Sequence, residues 1–130
     1  MKRIDASVSR KMDIFLEEIY PESQKAGEEM AGLKFGKSQT RGFESLLTST
    51  GRFSEILNYI KKQAGKDKKK EAWVQVAPTL LAQLEILETK AVELGNGDPS
   101  FTLQIKIKLA REWGKQVISH YLYQQMRMGE

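Results

Sequence analysis

Few side chains in this sequence can carry covalent chemistry. His120 is the single histidine and there is no cysteine. That excludes thiol nucleophiles, cysteine zinc sites, iron–sulfur clusters and a disulfide framework. His120 has no spaced carboxylates around it, so it reads as a helix histidine, not a ligand or a base. Glu17 with Glu18, and Glu28 with Glu29, are sequence neighbours and diverge on a helix, which makes them poor acid/base pairs. Ser38, Ser45 and Ser119 stand in no nucleophile-elbow context. The run Gly32-x-x-x-Gly36-Lys37-Ser38 approaches a phosphate-binding loop, but its glycines stand one residue too close and no strand precedes it. The expectation is no enzyme, no cofactor and no metal.

The remaining chemistry is cationic. The 130 residues carry 21 lysines and arginines against 17 acids, net +4. The distribution is uneven. Residues 37–70 hold nine basic and three acidic side chains, net +6, whereas residues 71–98 hold one basic and five acidic, net −4. These two segments could pair in part within the fold. Projected as one continuous helix, Lys37, Arg41, Arg52, Lys62 and Lys66 fall within about 80° of each other, opposite the apolar residues. Ser45, Thr48 and Tyr59 lie on or beside that face. Helical rise would place Arg41 and Arg52 about 16 Å apart. Farther on, Lys108, Arg111 and Lys115 group together, while Lys106 falls on the apolar side. Such rows can follow successive phosphates of a polyanion, and they can equally be a solvated outer face.

The elements that position these residues are helical. Ile4, Val8, Met12, Phe15, Leu16, Ile19 and Tyr20 form a stripe from about Asp5, a candidate N-cap, to a stop at Pro21. Residues 21–36 are polar and read as a linker holding a short helix around Lys25–Leu33. A second helix opens with Ser38 as candidate N-cap and reaches about Ala64, with Gly51 as a point where it can break. A lysine-rich connector follows at 64–70. A third helix spans about Lys70–Leu94, with a kink or its true start at Pro78. Gly95-Asn96-Gly97-Asp98 then stops it. From Asp98 as N-cap and Pro99 as first helical residue, one long helix runs to about Met128, although residues 101–109 also alternate at strand period. The fold class is all-α: one domain, a bundle of four main helices plus the short one. Trp73 and Trp113 belong to apolar stripes and are expected in the core. No stretch approaches the ~20 apolar residues that span a bilayer, and no apolar export segment follows the basic start, so a cytoplasmic location is expected.

Three stretches add a resemblance. Lys37-Ser38-Gln39-Thr40-Arg41, opening a helix, resembles the Ser-Gln-x-Arg signature of the small α-helical subunit of the type III-A CRISPR effector, the Csm complex. Val76-Ala77-Pro78-Thr79-Leu80-Leu81-Ala82 is similar to that family's helix with an internal proline before Leu-Ala. The stretch from Trp113 to Tyr123 is similar to its C-terminal amphipathic helix ending in aromatic residues. Thr40 stands where the family usually has an aliphatic residue, and Gln83 where it usually has tyrosine, which leaves the type III-B small subunit as a neighbouring alternative. The resemblance implies a non-catalytic protein that stacks along a ribonucleoprotein and touches guide and target RNA backbone without reading sequence. Its partners would be those RNAs, other effector subunits and further copies of itself. By residue match Arg41 is the first candidate RNA contact, and Gln39 can contact RNA or serve the helix start. Lys37, Arg52, Lys62 and Lys66 follow from helical geometry, and Lys108, Arg111 and Lys115 form a candidate second strip. The competing expectation is a helical protein–protein adaptor with no nucleic-acid role.

Overall fold

The computed structural model describes residues 3–66 and 72–129. Among the described residues there are six helices and no strand: α1 (Ala6–Glu18), α2 (Tyr20–Gly32), α3 (Lys37–Ser49), α4 (Phe53–Lys66), α5 (Ala72–Gly95) and α6 (Pro99–Gly129). The all-α expectation holds, but with more and shorter elements than four main helices and one short one. The lysines from 68 to 70, with the expected start of the third helix at Lys70, lie outside the described residues.

α6 is the axis of the bundle. Its 31 residues span about 46 Å at helical rise, and each of the other five helices touches it. The helical reading of 99–128 therefore prevails over the strand-period alternative. Asp98 caps it as expected: its Oδ1 accepts from the Phe101 N–H at 3.0 Å, and Pro99 is the first helical residue. The turn before it uses left-handed backbone at Asn96 (φ 51°) and Gly97 (φ 84°). Asp5 likewise caps α1, accepting from the Val8 N–H at 2.9 Å.

The segment expected to be a linker is α2, the helix that packs most extensively on α6. Pro21 ends nothing here. It sits in the first turn of α2, where its missing N–H has no intrahelical partner to lose. The face that α2 buries is Ser23, Ala26, Gly27, Met30 and Ala31, mostly small residues at helical spacing. A Cβ on Gly27 would lie 2.4 Å from the Val117 carbonyl oxygen and 2.8 Å from the Tyr121 nitrogen, so the two backbones meet here. Polar bonds hold this contact. Ser23 Oγ donates to Gln116 Oε1 at 2.7 Å, Gln116 Nε2 donates to the Leu16 carbonyl at 3.3 Å, and Tyr121 OH donates to the Phe35 carbonyl at 2.5 Å. Half-buried His120 sets its ring edge-on to Tyr20 at 4.9 Å.

The second expected helix breaks at the corner Thr50-Gly51-Arg52. Gly36, not Ser38, is the N-cap of α3, and Gln39 Oε1 accepts from the Gly36 N–H at 2.8 Å. In α5 the chain passes through exposed Pro78 without ending. The carbonyl left without a donor there is that of Val74, on an exposed residue that water can reach. Trp73 and Trp113 are in the core, as expected. Gln83 crosses that core: its Oε1 accepts from Trp113 Nε1 at 2.8 Å and its Nε2 donates to the Glu22 carbonyl at 2.7 Å.

Candidate nucleic-acid interface

The nine cations and polar residues expected to contact a polyanion do not form one face. The break at Thr50–Arg52 invalidates a single projection over 37–66, and the 16 Å spacing between Arg41 and Arg52 with it. What the fold brings together is instead a seam between α3 and α6. Lys37 and Arg41 line a cleft of about 230 Å³ with Glu44, Ile118 and Leu122. Lys108, Arg111 and Lys115 line a groove of about 690 Å³ with Thr48, Gly51 and Gln104.

These two depressions share one stripe on each helix. On α6 the lining residues 104, 108, 111, 115, 118 and 122 recur at steps of four and three, which is one face. On α3 the lining residues 37, 41, 44 and 48 do the same. The start of α3 meets the end of α6 and the end of α3 meets its middle, so the helices run antiparallel. From residue 104 to 122 the seam measures about 27 Å. It carries Lys37, Arg41, Lys108, Arg111 and Lys115 against Glu44 and Glu112, a surplus of three positive charges.

The five cations differ in what they can offer. Half-buried Arg111 closes the end of α3: its Nε donates to the Leu47 carbonyl at 3.1 Å and Nη2 to the Thr50 carbonyl at 3.3 Å. It satisfies carbonyls that a helix C-terminus leaves without partners, so its first role is structural. Lys115 lies 3.0 Å from Glu112, but both side chains are exposed enough that the pair binds weakly and can open. Lys37, Arg41 and Lys108 are exposed, with no ion pair among the described residues.

The other expected contacts fall elsewhere. Gln39 is occupied at the α3 cap. Arg52 is exposed at the corner and bound to Glu55 at 2.6 Å. Thr50 Oγ also donates to Glu55, and this bond, then Arg52, hold the Glu55 carboxyl below the usual carboxylate range. Lys62 and Lys66 are exposed on α4, which packs on α5, and line neither depression. Lys106, on the apolar side as expected, pairs with Glu88 at 3.0 Å and rides over the Phe53 ring at 5.6 Å. Among the described residues no ion pair joins 37–66 to 72–98, although Lys61 shares a depression with Glu85 and Glu88. Thr48 does lie beside the cations, whereas Tyr59 stands against Trp73, its rings 5.9 Å away, and burial raises its pKa.

The groove also has residues that charge patterning missed. Ile4, Leu103 and Ile107 form apolar walls beside the cations. Leu103 and Ile107 were legible only as apolar positions in a stretch of mixed period. Among the described residues no cluster of three metal-ligating side chains occurs, and no helix is long and apolar enough to cross a membrane. No protein-family model, curated protein or solved structure matches the chain.

Proposed function

We propose that this chain is a non-catalytic small subunit of a type III-A CRISPR (Csm) ribonucleoprotein in the cytoplasm, contacting guide and target RNA through phosphate charge without reading sequence. The observation that carries the reading is the α3–α6 seam. Arg41, the arginine of the Ser-Gln-x-Arg stretch, stands in line with Lys37, Lys108 and Lys115 along it. A row of cations on two braced helices suits a backbone that presents a charge at every nucleotide. The end of α6 supports the assembly half of the reading. Leu122, Tyr123, Met126 and Met128 are each about half exposed or more, an apolar edge of the kind that neighbouring subunits cover.

The same apolar edge favours the competing reading, a protein–protein adaptor. Purification of the chain from its native cells, followed by sequencing of the bound RNA, separates the two. Enrichment of short guide RNAs is expected. Protein free of RNA but carrying protein partners would favour the adaptor.

A further inference from the structure

The groove beside the first half of α6 contains more than a phosphate track needs. Lys108 and Lys115 supply charge, yet the same groove is lined by exposed Leu103, half-buried Ile4 and the edge of buried Ile107. Leu103 is 39% exposed, a large apolar side chain open to water beside cations. The groove measures about 690 Å³, against about 230 Å³ for the cleft at Lys37 and Arg41. That is ample room for one planar base, since small-ligand sites run from about 300 Å³ upward.

We infer that this groove takes one unstacked nucleobase of a single-stranded polynucleotide, laid on exposed Leu103 and against half-buried Ile4, with its flanking phosphates at Lys108 and Lys115. The inference rests on the RNA-contacting reading above and adds the strand state it selects. Any base has a largely apolar face, so packing on an aliphatic side chain removes it from water without regard to sequence. Gln104 stands on the same groove wall. Its amide offers both donors and an acceptor, so it can meet the edge of any base. A duplex keeps its bases paired and stacked, out of reach of the groove. The smaller cleft at Lys37 and Arg41 then serves phosphates alone.

The test uses the full chain in fluorescence anisotropy with three probes of equal length: oligouridylate, an abasic sugar-phosphate strand and an RNA duplex. At about 0.05 M salt, where screening is moderate, oligouridylate is expected to bind about tenfold tighter than the abasic strand, the effect of burying roughly 55 Å² of apolar surface. It should also bind tighter than the duplex. Leu103→Ser should abolish the advantage over the abasic strand while leaving the salt dependence unchanged, and Leu103→Met should keep it. Equal binding of all three probes by the wild type overturns the base site and leaves the backbone reading standing. Absence of salt-dependent binding to every probe overturns both. Displacement of the strand by polyglutamate as readily as by unlabelled oligouridylate, at matched charge, would show that the base adds nothing and overturn the base site.

Discussion

Neutralising Lys37 and Arg41 together should change how RNA binding depends on salt, by an amount the seam predicts. Arg111 is engaged with the Leu47 and Thr50 carbonyls, which leaves Lys37, Arg41, Lys108 and Lys115 as cations that can each displace a counterion. For single strands each neutralised phosphate contributes about −0.7 to the slope of log affinity against log salt, so four give about −2.8. Between about 0.05 and 0.2 M salt, affinity should then fall about 50-fold. The variant K37Q/R41Q retains two of the four, and its affinity should fall only about sevenfold over the same range. K108Q/K115Q should match it, because both pairs lie on one seam. K62Q/K66Q should keep the wild-type slope, since those lysines line neither depression. Anisotropy of a labelled oligouridylate, titrated at several salt concentrations, measures each slope. An unchanged slope in K37Q/R41Q, or an equal loss in K62Q/K66Q, would refute the seam as the polyanion track.

Other expectations concern the frame that holds the seam. Gly27→Ala sets a methyl against α6 backbone; overpacking costs about 1–3 kcal/mol and outweighs the helix-propensity gain of up to about 1 kcal/mol. Its melting temperature should fall by several degrees in calorimetry, whereas Gly65→Ala, with nothing near the added carbon, should hold or gain. Gln83→Leu leaves the buried Trp113 N–H without its acceptor, at about 1–3 kcal/mol, and also removes the part-buried bond to the Glu22 carbonyl. Denaturant titration should show the loss, together with a changed tryptophan emission. Glu55 has a folded pKa below its unfolded value, set first by the Thr50 hydroxyl and then by Arg52. Its contribution is therefore present above the unfolded carboxylate pKa and lost as pH falls through the folded one. Melting temperature against pH should decline less steeply on the acid side in Glu55→Gln, and identical acid limbs would contradict this.

Where the sequence was legible, a strong local signal coincided with the tertiary demand. Asp5 and Asp98 cap helices because the capping preference is a short-range property of the backbone. The long helix through 99–128 was readable because its stripe at spacing four outlasts the strand-like alternation of 101–109. α2 was hidden for the opposite reason. Its buried face is Ser23, Ala26, Gly27 and Ala31 around Met30, so it contributes close backbone approach instead of apolar bulk, and hydrophobic periodicity does not register that. Pro21 compounded the error, since a proline at the end of one helix and in the first turn of the next have the same local appearance. The site was legible in its two stripes but not in their union. Lys37 with Arg41, and Lys108 with Lys115, are each visible as helical neighbours. That α3 lies antiparallel on α6 is a fact of packing, carried by Leu47 against Gly114 and by Arg111 on the α3 carbonyls. Arg111 itself looks in sequence like any other cation in its strip; only the open carbonyls of a neighbouring helix reveal its structural use.

That use bears on how the seam works. Flexible cations on a loose surface lose entropy when a ligand orders them, which subtracts from affinity. Here the helices carrying the cations are already fixed against each other. The Leu47 side chain packs where a Cβ on residue 114 would fall, 2.3 Å from its Cδ1, so glycine at 114 lets α3 lie close on α6. One turn away Arg111 ties the end of α3 down. On its other sides α6 is held by α2 at Gly27 and by α5 through the Trp113–Gln83 bond. Only the side-chain tips of Lys37, Arg41, Lys108 and Lys115 remain to be ordered by a ligand. Arginine at 111, with five N–H groups in a rigid fork, can hold two carbonyls and still direct further donors toward the groove. A lysine there has one nitrogen in place of the two separated ones, Nε and Nη2, with which Arg111 reaches the two carbonyls. On the proposed RNA-binding reading, the strip of three cations on α6 is two candidate phosphate contacts flanking a brace, and the brace keeps them in register with the pair on α3.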